Sequence, residues 1–578
     1  MSCFGVVSVF LLYFMKTCTI LSVITVLFAC SAVAETFHIS SSDGNDGWDG
    51  MSPETAWRTL EKLDESWNLI GPGDSVLLER GSVFSPTTLD RNGIIRIPND
   101  KAGTPGNPIT IGAYGEGERP IVDFSQITEY GAALRTGGLS YFTIQDIEFR
   151  GAVYFQPGAN MEVGIHHLRL LRLKVLGGLT PKGELDHMFF YLSMAAANSQ
   201  VPVPNTLAPI SEVEIGWCEF VNTEGEDAVN LGQAGDNIWV HHNRWINGNE
   251  EALDIGSGSG HVIENNFISG PAGGGIKLHS QSNLMSNVIV RGNTILKAGA
   301  GYNGLVFQHT VNGRIYNNTV YSSYSAYFGN RDRVQPESYY GTFESNRVFN
   351  NLLMGCVQIQ GSWDGSPIGP GVVYKSPEVN VHRDNTFTRN VYWRPCSEWY
   401  IKGIRFWRNG AYPEEHATVD DSRTIEVGDQ ERFESIWASQ AGEGERMINP
   451  LLVDARWTSA EDYGDFSPTE GSPCVDQGAF LATVVSESGS GLELALSDVY
   501  GLVHAGRMEG MEGDVIRFEG TSERRRVMAI DYAASTITVD APVTWAKGQG
   551  IALDYQGVRP DIGAWEYAAS NHAPVLDP

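Results

Sequence analysis

From Tyr141 onward the chain repeats one short phrase of alternating apolar and polar residues. Residues 142–149 read Phe-Thr-Ile-Gln-Asp-Ile-Glu-Phe, and the same rhythm returns at 168–173, 214–220, 238–245, 262–267, 288–295 and 314–320. Each run is two to four alternations long and is broken by Asn or Gly, which is strand periodicity, with no sustained helical spacing. Asn243, Asn266, Asn293 and Asn318 fall at one phase of the phrase, with steps of 23, 27 and 25 residues by subtraction. A three-sided coil of short parallel strands uses about that many residues per turn. Asn tolerates the left-handed backbone of a corner, and stacked Asn amides can bond along a ladder, so this column is read as structural. Two stretches interrupt the rhythm, 181–210 and 323–342, and are read as loops leaving the coil. The repeat weakens after 386–393. Residues 396–450 are more charged and read as partly helical, around 433–437.

The ends extend the pattern. Residues 37–40 read as a strand, followed by a Gly/Asp loop and a short helix near Pro53. Asp43, Asp46 and Asp49 in that loop are explained by turns without a cation. Strands are predicted at 73–78, 109–114 and 120–123. Near the C-terminus, residues 465–478 and 559–567 form a pair of Gly/Pro/Asp-rich phrases. Between them, 514–518, 525–530 and 536–539 read as a small antiparallel β module. These opening and closing phrases resemble those of secreted right-handed parallel β-helix proteins that act on polysaccharides. The predicted fold class is therefore all-β: a single-stranded right-handed parallel β-helix, pectin-lyase-like, with a small antiparallel insertion. The expected division is a leader at 1–34, the β-helix with its cap at 35–480, the module at 481–556, and a closing strand and tail at 557–578.

Composition narrows the function. The chain has 578 residues, 42% of them hydrophobic, and 65 glycines, which suits a large core of strands and tight turns. A formal net charge of −29 argues against a nucleic-acid partner. An acidic polymer would need a local basic patch or a bound cation. Residues 17–29 are almost wholly apolar, and Ala32-Val33-Ala34 supplies a small-x-small cleavage pattern. We read a secretory signal with its true start possible at Met15 and a mature start at Glu35. A secreted or periplasmic monomer, with no membrane attachment after cleavage, is the expectation. Outside the leader, Cys218, Cys356, Cys396 and Cys474 are widely spaced and offer no metal or redox motif.

The chemistry concentrates between Glu224 and His279. One phrase occurs three times there, at 224–232, 250–256 and 274–279. Alignment puts Asp227, Glu251 and Gly274 in one column, and Asn230, Asp254 and Lys277 in another. The second column steps by 24 and 23 residues by subtraction. Stacked on successive coils, these carboxylates would crowd and repel unless a cation sat among them. Calcium, with six to eight oxygen ligands, suits such a group. The arrangement resembles the pectate lyases of polysaccharide lyase family 9, which use a parallel β-helix, a cage of four acids and a lysine base. The resemblance implies Asp227 (or Glu226), Glu250, Glu251 and Asp254 as a Ca²⁺ cage and Lys277 as the base. Glu at 250 and 251 departs from that family's all-Asp cage, and the lysine follows more closely than in the family. His279 is a second candidate acid or base; Arg291, Arg314 and His309, which lies about one coil further, are candidates for binding substrate, the arginines through its carboxylates. The implied activity is β-elimination on an acidic, uronate-containing polysaccharide. A glycoside hydrolase, a C5-epimerase, or a non-catalytic surface or binding protein on the same scaffold are the alternatives.

Overall fold

The computed structural model describes residues 34–85, 95–99, 101–124, 134–136, 138–151, 153–155, 165–177, 190–192, 210–223, 227–231, 235–248, 250–279, 285–299, 302–308, 310–329, 342–360, 381–393, 404–407, 424–425, 431 and 443–567. These residues form a parallel β-helix whose three faces are built by three kinds of strand. The first face stacks Thr36–Ile39, Ser75–Glu79, Ile109–Tyr114 and Leu139–Gln145, and continues coil by coil through Ile238–His241 and Ile289–Arg291 to Thr386–Thr388. The second runs from Ile121–Asp123 through Glu219–Thr223, Arg244–Gly248 and Phe267–Pro271. The third carries Val229–Leu231, Leu253–Ile255, Ile276–His279 and Asn303–Gln308 in parallel register. Thr319–Gly329 serves the second and third faces together, with register shifts between Tyr321 and Ala326. Residues 323–329 are therefore strand, not the loop expected, because the chain rounds the corner without breaking its pairing. The helical expectation at 433–437 and most of the 181–210 excursion lie outside the described residues, as do the leader and Glu226.

Alternation sends every second side chain of these short strands inward. Leu168, Leu170, Val213, Ile215, Val240 and Ile263 line the interior with no exposed surface. Each such side chain contributes about 1.5–3 kcal/mol of burial. The Asn column is inside as well. Asn266 Oδ1 accepts from the Asn243 backbone N–H at 3.0 Å and from its amide at 3.1 Å, and Asn293 serves Asn266 in the same way. The ladder continues through Asn318, Asn351 and Asn390 and ends on the buried carboxylate of Glu445. The left-handed corner falls one residue earlier than expected, at His242, Asn265, Gly292 and Asn317, whose φ values are 52°, 54°, 65° and 52°. The corner residue turns the chain, and its Asn neighbour satisfies the backbone groups that the turn exposes inside.

The N-terminal acids behave as turn residues. Asp46 accepts from the Arg58 and Thr59 backbones and the Thr59 hydroxyl, and Asp49 from the Met51 backbone and the Thr55 hydroxyl. They fasten the loop to the helix Leu60–Ser66, which Thr59 caps.

The C-terminal module is a six-stranded antiparallel sheet running from Ala482–Thr483 to Gly550–Leu553. It packs on the first face, where Trp239, Val262, Ile289, Tyr316 and Phe349 share a buried cluster with Leu481, Val499, Leu502, Ile516 and Phe518. Arginines of the coil clamp it. Arg291 grips Asp514 with both fork nitrogens, at 2.8 and 2.6 Å, and Arg314 Nε meets Asp498 at 2.7 Å. Arg347 meets the same Asp498 carboxylate, and Tyr316 donates to the Gly501 carbonyl at 2.9 Å.

Candidate active site

The third face brings the predicted columns together. Val229 pairs with Leu253 and Leu253 with Ile276, so Asn230, Asp254 and Lys277 are direct neighbours on consecutive coils. Three residues before these, in the same register, stand Asp227, Glu251 and Gly274. Their inward neighbours Val229, Leu231, Leu253, Ile255, Ile276 and Leu278 have no exposed surface. That packing fixes the strands, and the strands fix the polar side chains on the other side.

Asp227, Glu251 and Asp254 converge, each offering a carboxylate oxygen within 4.8 Å of the others. All three are buried, with residue exposures of 4%, 7% and 3%. Lys277 Nζ lies 2.8 Å from Asp254 Oδ2 and 3.2 Å from Glu251 Oε1. Asn230 donates its amide to Asp227 Oδ2 at 2.6 Å. His279 Nε2 stands 3.5 Å from Asp254 Oδ1, too far for a hydrogen bond. Asp254 Oδ1 and Asp227 Oδ1 are buried without hydrogen-bond partners among the described residues, a costly condition for carboxylate oxygens.

Electrostatics follow from this crowding. Burial and the negative charges of Asp254 and Glu251 push the Asp227 carboxyl well above the usual carboxylate range. Burial alone would push the Lys277 ammonium down. The attraction of Asp254, Glu251 and Asp227 outweighs it, and the net shift is upward. In this state Lys277 is a cation locked into an ion-pair network, not a free base. Glu250 is half-buried where the chain bends into this face, and is not one of the three converging acids.

The structure separates the other candidates from this cluster. Arg291 and Arg314, expected to hold substrate carboxylates, lie on the first face beneath the module. Arg291 is 5% exposed and its fork is spent on Glu264, Tyr316 and Asp514. Arg314 is 6% exposed and is held by Asp498. Both arginines clamp the module; the Asn column places Arg291 in line with His241 and Glu264, but nothing in the linear sequence says that the module covers that face. His309 lies outside the described residues. His241 has no exposed surface, stacks on Trp239 at 3.7 Å and meets Glu214, so it belongs to the same covered face. A crevice of about 300 Å³ opens at the seam between coil and module, among Arg291, Tyr316, Asn317, Tyr555 and Glu566, away from the acids. Its Arg291 and Asn317 are already bonded across the seam, so it follows from docking. Cys218 and Cys474 are buried free thiols. No helix among the described residues is long and apolar enough to cross a membrane.

Comparison with known proteins agrees with the fold. A family model described as a right-handed beta helix region matches residues 227–422, which begins at Asp227. Lacto-N-biosidase of Bifidobacterium longum subsp. longum is 38% identical over 89 residues, covering 15% of this chain. That match spans only 5% of the length of this curated relative. Among solved structures, a GH136 lacto-N-biosidase from Eubacterium ramulus is 14% identical with a TM-score of 0.39, covering 65% of this chain and 68% of that one. Pectate lyase Pel9A is 13% identical with a TM-score of 0.39, covering 79% of this chain and 94% of that one. At these scores neither activity transfers to this chain.

Proposed function

We propose that this protein cleaves a uronate-containing polysaccharide by calcium-assisted β-elimination at the Asp227, Glu251, Asp254 and Lys277 cluster. One observation carries the reading: three buried carboxylates, two of them with an oxygen that has no hydrogen-bond partner among the described residues, face a lysine on the next coil. Hard oxygens so placed are the donor set of Ca²⁺, and Asp227, Glu251 and Asp254 are the residues to hold it. Bound there, the ion would neutralise the substrate carboxylate and so acidify the C5 proton. The remaining chemistry belongs to the chain. Burial alone lowers the Lys277 ammonium, so a cation that satisfied the acids would shift the lysine toward its neutral form. Its amine then takes the C5 proton. The C–H electron pair forms the C4–C5 double bond, and the bond to the 4-linked oxygen breaks. That oxygen takes a proton from His279 or from water.

The test is a turnover assay on pectate, alginate and glycosaminoglycan, following formation of the unsaturated product. Exhaustive chelation and Lys277→Ala should each abolish it. Full activity after chelation sinks the calcium claim, and full activity of Lys277→Ala sinks the role of the lysine.

Hydrolysis is the second reading, and one observation favours it. Burial and the charges of Asp254 and Glu251 push the Asp227 carboxyl up, and a carboxyl raised in this way is a candidate general acid for a glycosidase. The curated relative is a glycosidase by name. New reducing ends without unsaturated product would establish hydrolysis.

A further inference from the structure

The strand Asn303–Gln308 follows Lys277 by one coil on the third face, and its polar residues are not spent on the fold. Parallel register sets Gln308 directly beside His279, and Val306 beside Lys277. Gln308 is 8% exposed. Its backbone carbonyl accepts from Thr310, but its carboxamide has no hydrogen-bond partner among the described residues. The same strand carries a second unpartnered amide oxygen. Asn303 Oδ1 is buried without a partner among the described residues, in line with Asp227, Glu251 and Gly274. Gly274 has no side chain, so nothing stands between Glu251 and Asn303 in that column. A Cβ at 274 would sit 3.1 Å from both Glu251 Cγ and the Asn303 carbonyl.

A buried amide oxygen without a partner, as at Asn303, costs the folded chain stability, and the Gln308 carboxamide beside it keeps only slight access to solvent. The cost is offset where a ligand supplies the missing bonds. We infer that this strand is a substrate-binding subsite, in which the Gln308 carboxamide takes a hydroxyl of the sugar ring adjoining the bond cleaved at Lys277. A carboxamide donates and accepts, which suits a hydroxyl, and its neutrality leaves the charge balance of the cluster unchanged. The inference rests on the functional reading above and adds a residue to it.

Gln308→Leu separates this role from a structural one, because leucine keeps the volume and removes the polar atoms. If the amide awaits substrate, the variant melts at or above the wild-type temperature. Its KM for the polymer that the wild type cleaves rises about 3- to 10-fold, the worth of one uncharged hydrogen bond, with kcat little changed. Gln308→Glu adds repulsion toward an anionic polymer and raises KM further. An unchanged KM in both variants overturns the inference and leaves the functional reading standing. A drop in melting temperature of Gln308→Leu with unchanged KM assigns the amide to the fold and also overturns it. A wild-type protein that neither cleaves nor binds any of the acidic polymers overturns the reading and the inference together.

Discussion

Removing the Asp514 carboxylate tests the assignment of Arg291 to the fold. Arg291 is almost fully buried, and Asp514 takes two charge-assisted bonds from it, at 2.8 and 2.6 Å, and a third from the Val503 backbone at 2.7 Å. Asp514→Ala deletes all three and leaves the Val503 N–H without its acceptor. Breaking a buried pair by removing one partner costs about 3–5 kcal/mol. Glu264 remains on Arg291, with its Oε2 2.7 Å from Nε, so the cost belongs at the lower end, about 3 kcal/mol. Arg291→Ala is the more damaging change, because it leaves Glu264 and Asp514 buried and facing each other with no cation, at about 5 kcal/mol. Native-state hydrogen exchange reads the effect locally. Exchange across Val515–Phe518 and Gly550–Leu553, the strands paired beside this contact, should accelerate roughly 100-fold in Asp514→Ala, with coils far from the module unchanged. If exchange moves less than threefold while substrate affinity falls, Arg291 serves substrate and the clamp is wrong.

Three further outcomes follow from the same geometry. Asn266→Ala should cost about 3 kcal/mol, since it strips the acceptor from the Asn243 backbone and amide and the donor from the Val240 carbonyl; a loss under 1 kcal/mol in chemical denaturation would mean water replaces the ladder. Burial pushes the Asp64 carboxyl up to about 6 from 3.8. The folded state therefore holds that proton more tightly, and stability falls by about 2 kcal/mol, after allowance for solvent screening, as pH rises from 4 to 6. Burial pushes His261 down from 6.5 to about 4; its contribution of about 3 kcal/mol is present above pH 6.5 and lost as pH falls toward 4. The two slopes oppose each other. Asp64→Asn, which keeps an acceptor for the Arg96 N–H, should make melting temperature climb more steeply between pH 4 and 6, and superimposable curves contradict the assignment. Lys277→Met should lose turnover and also stability, because three buried carboxylates keep no cation; undiminished stability would mean that solvent or an ion already screens them.

The coil period was legible because the Asn ladder enforces it. Once Asn243, Asn266 and Asn293 stack, residues at equal offsets must stack too, and the columns through Asp227 and Asp254 follow. The inserted module was legible from its own alternation. Three things were not. The Asn column puts Arg291 and Arg314 on the strand before the corner, but the sequence does not state that the module covers that strand, so an outward arginine there reads as open to substrate. The sequence does not state how a bend divides an adjacent pair, so Glu250 was grouped with Glu251. Nor does it weigh burial against three neighbouring charges, a balance that leaves Lys277 an ammonium in the structure described.

The most direct test of the central claim is the mass of the fragments released from the polymer that the protein cleaves. Elimination without water predicts new ends lighter by one water than the hydrolysis product, appearing only with calcium present and Lys277 intact. Fragments with the full mass of hydrolysis would contradict the account and turn the Asp227 and Asp254 pair into the acid and base of a glycosidase.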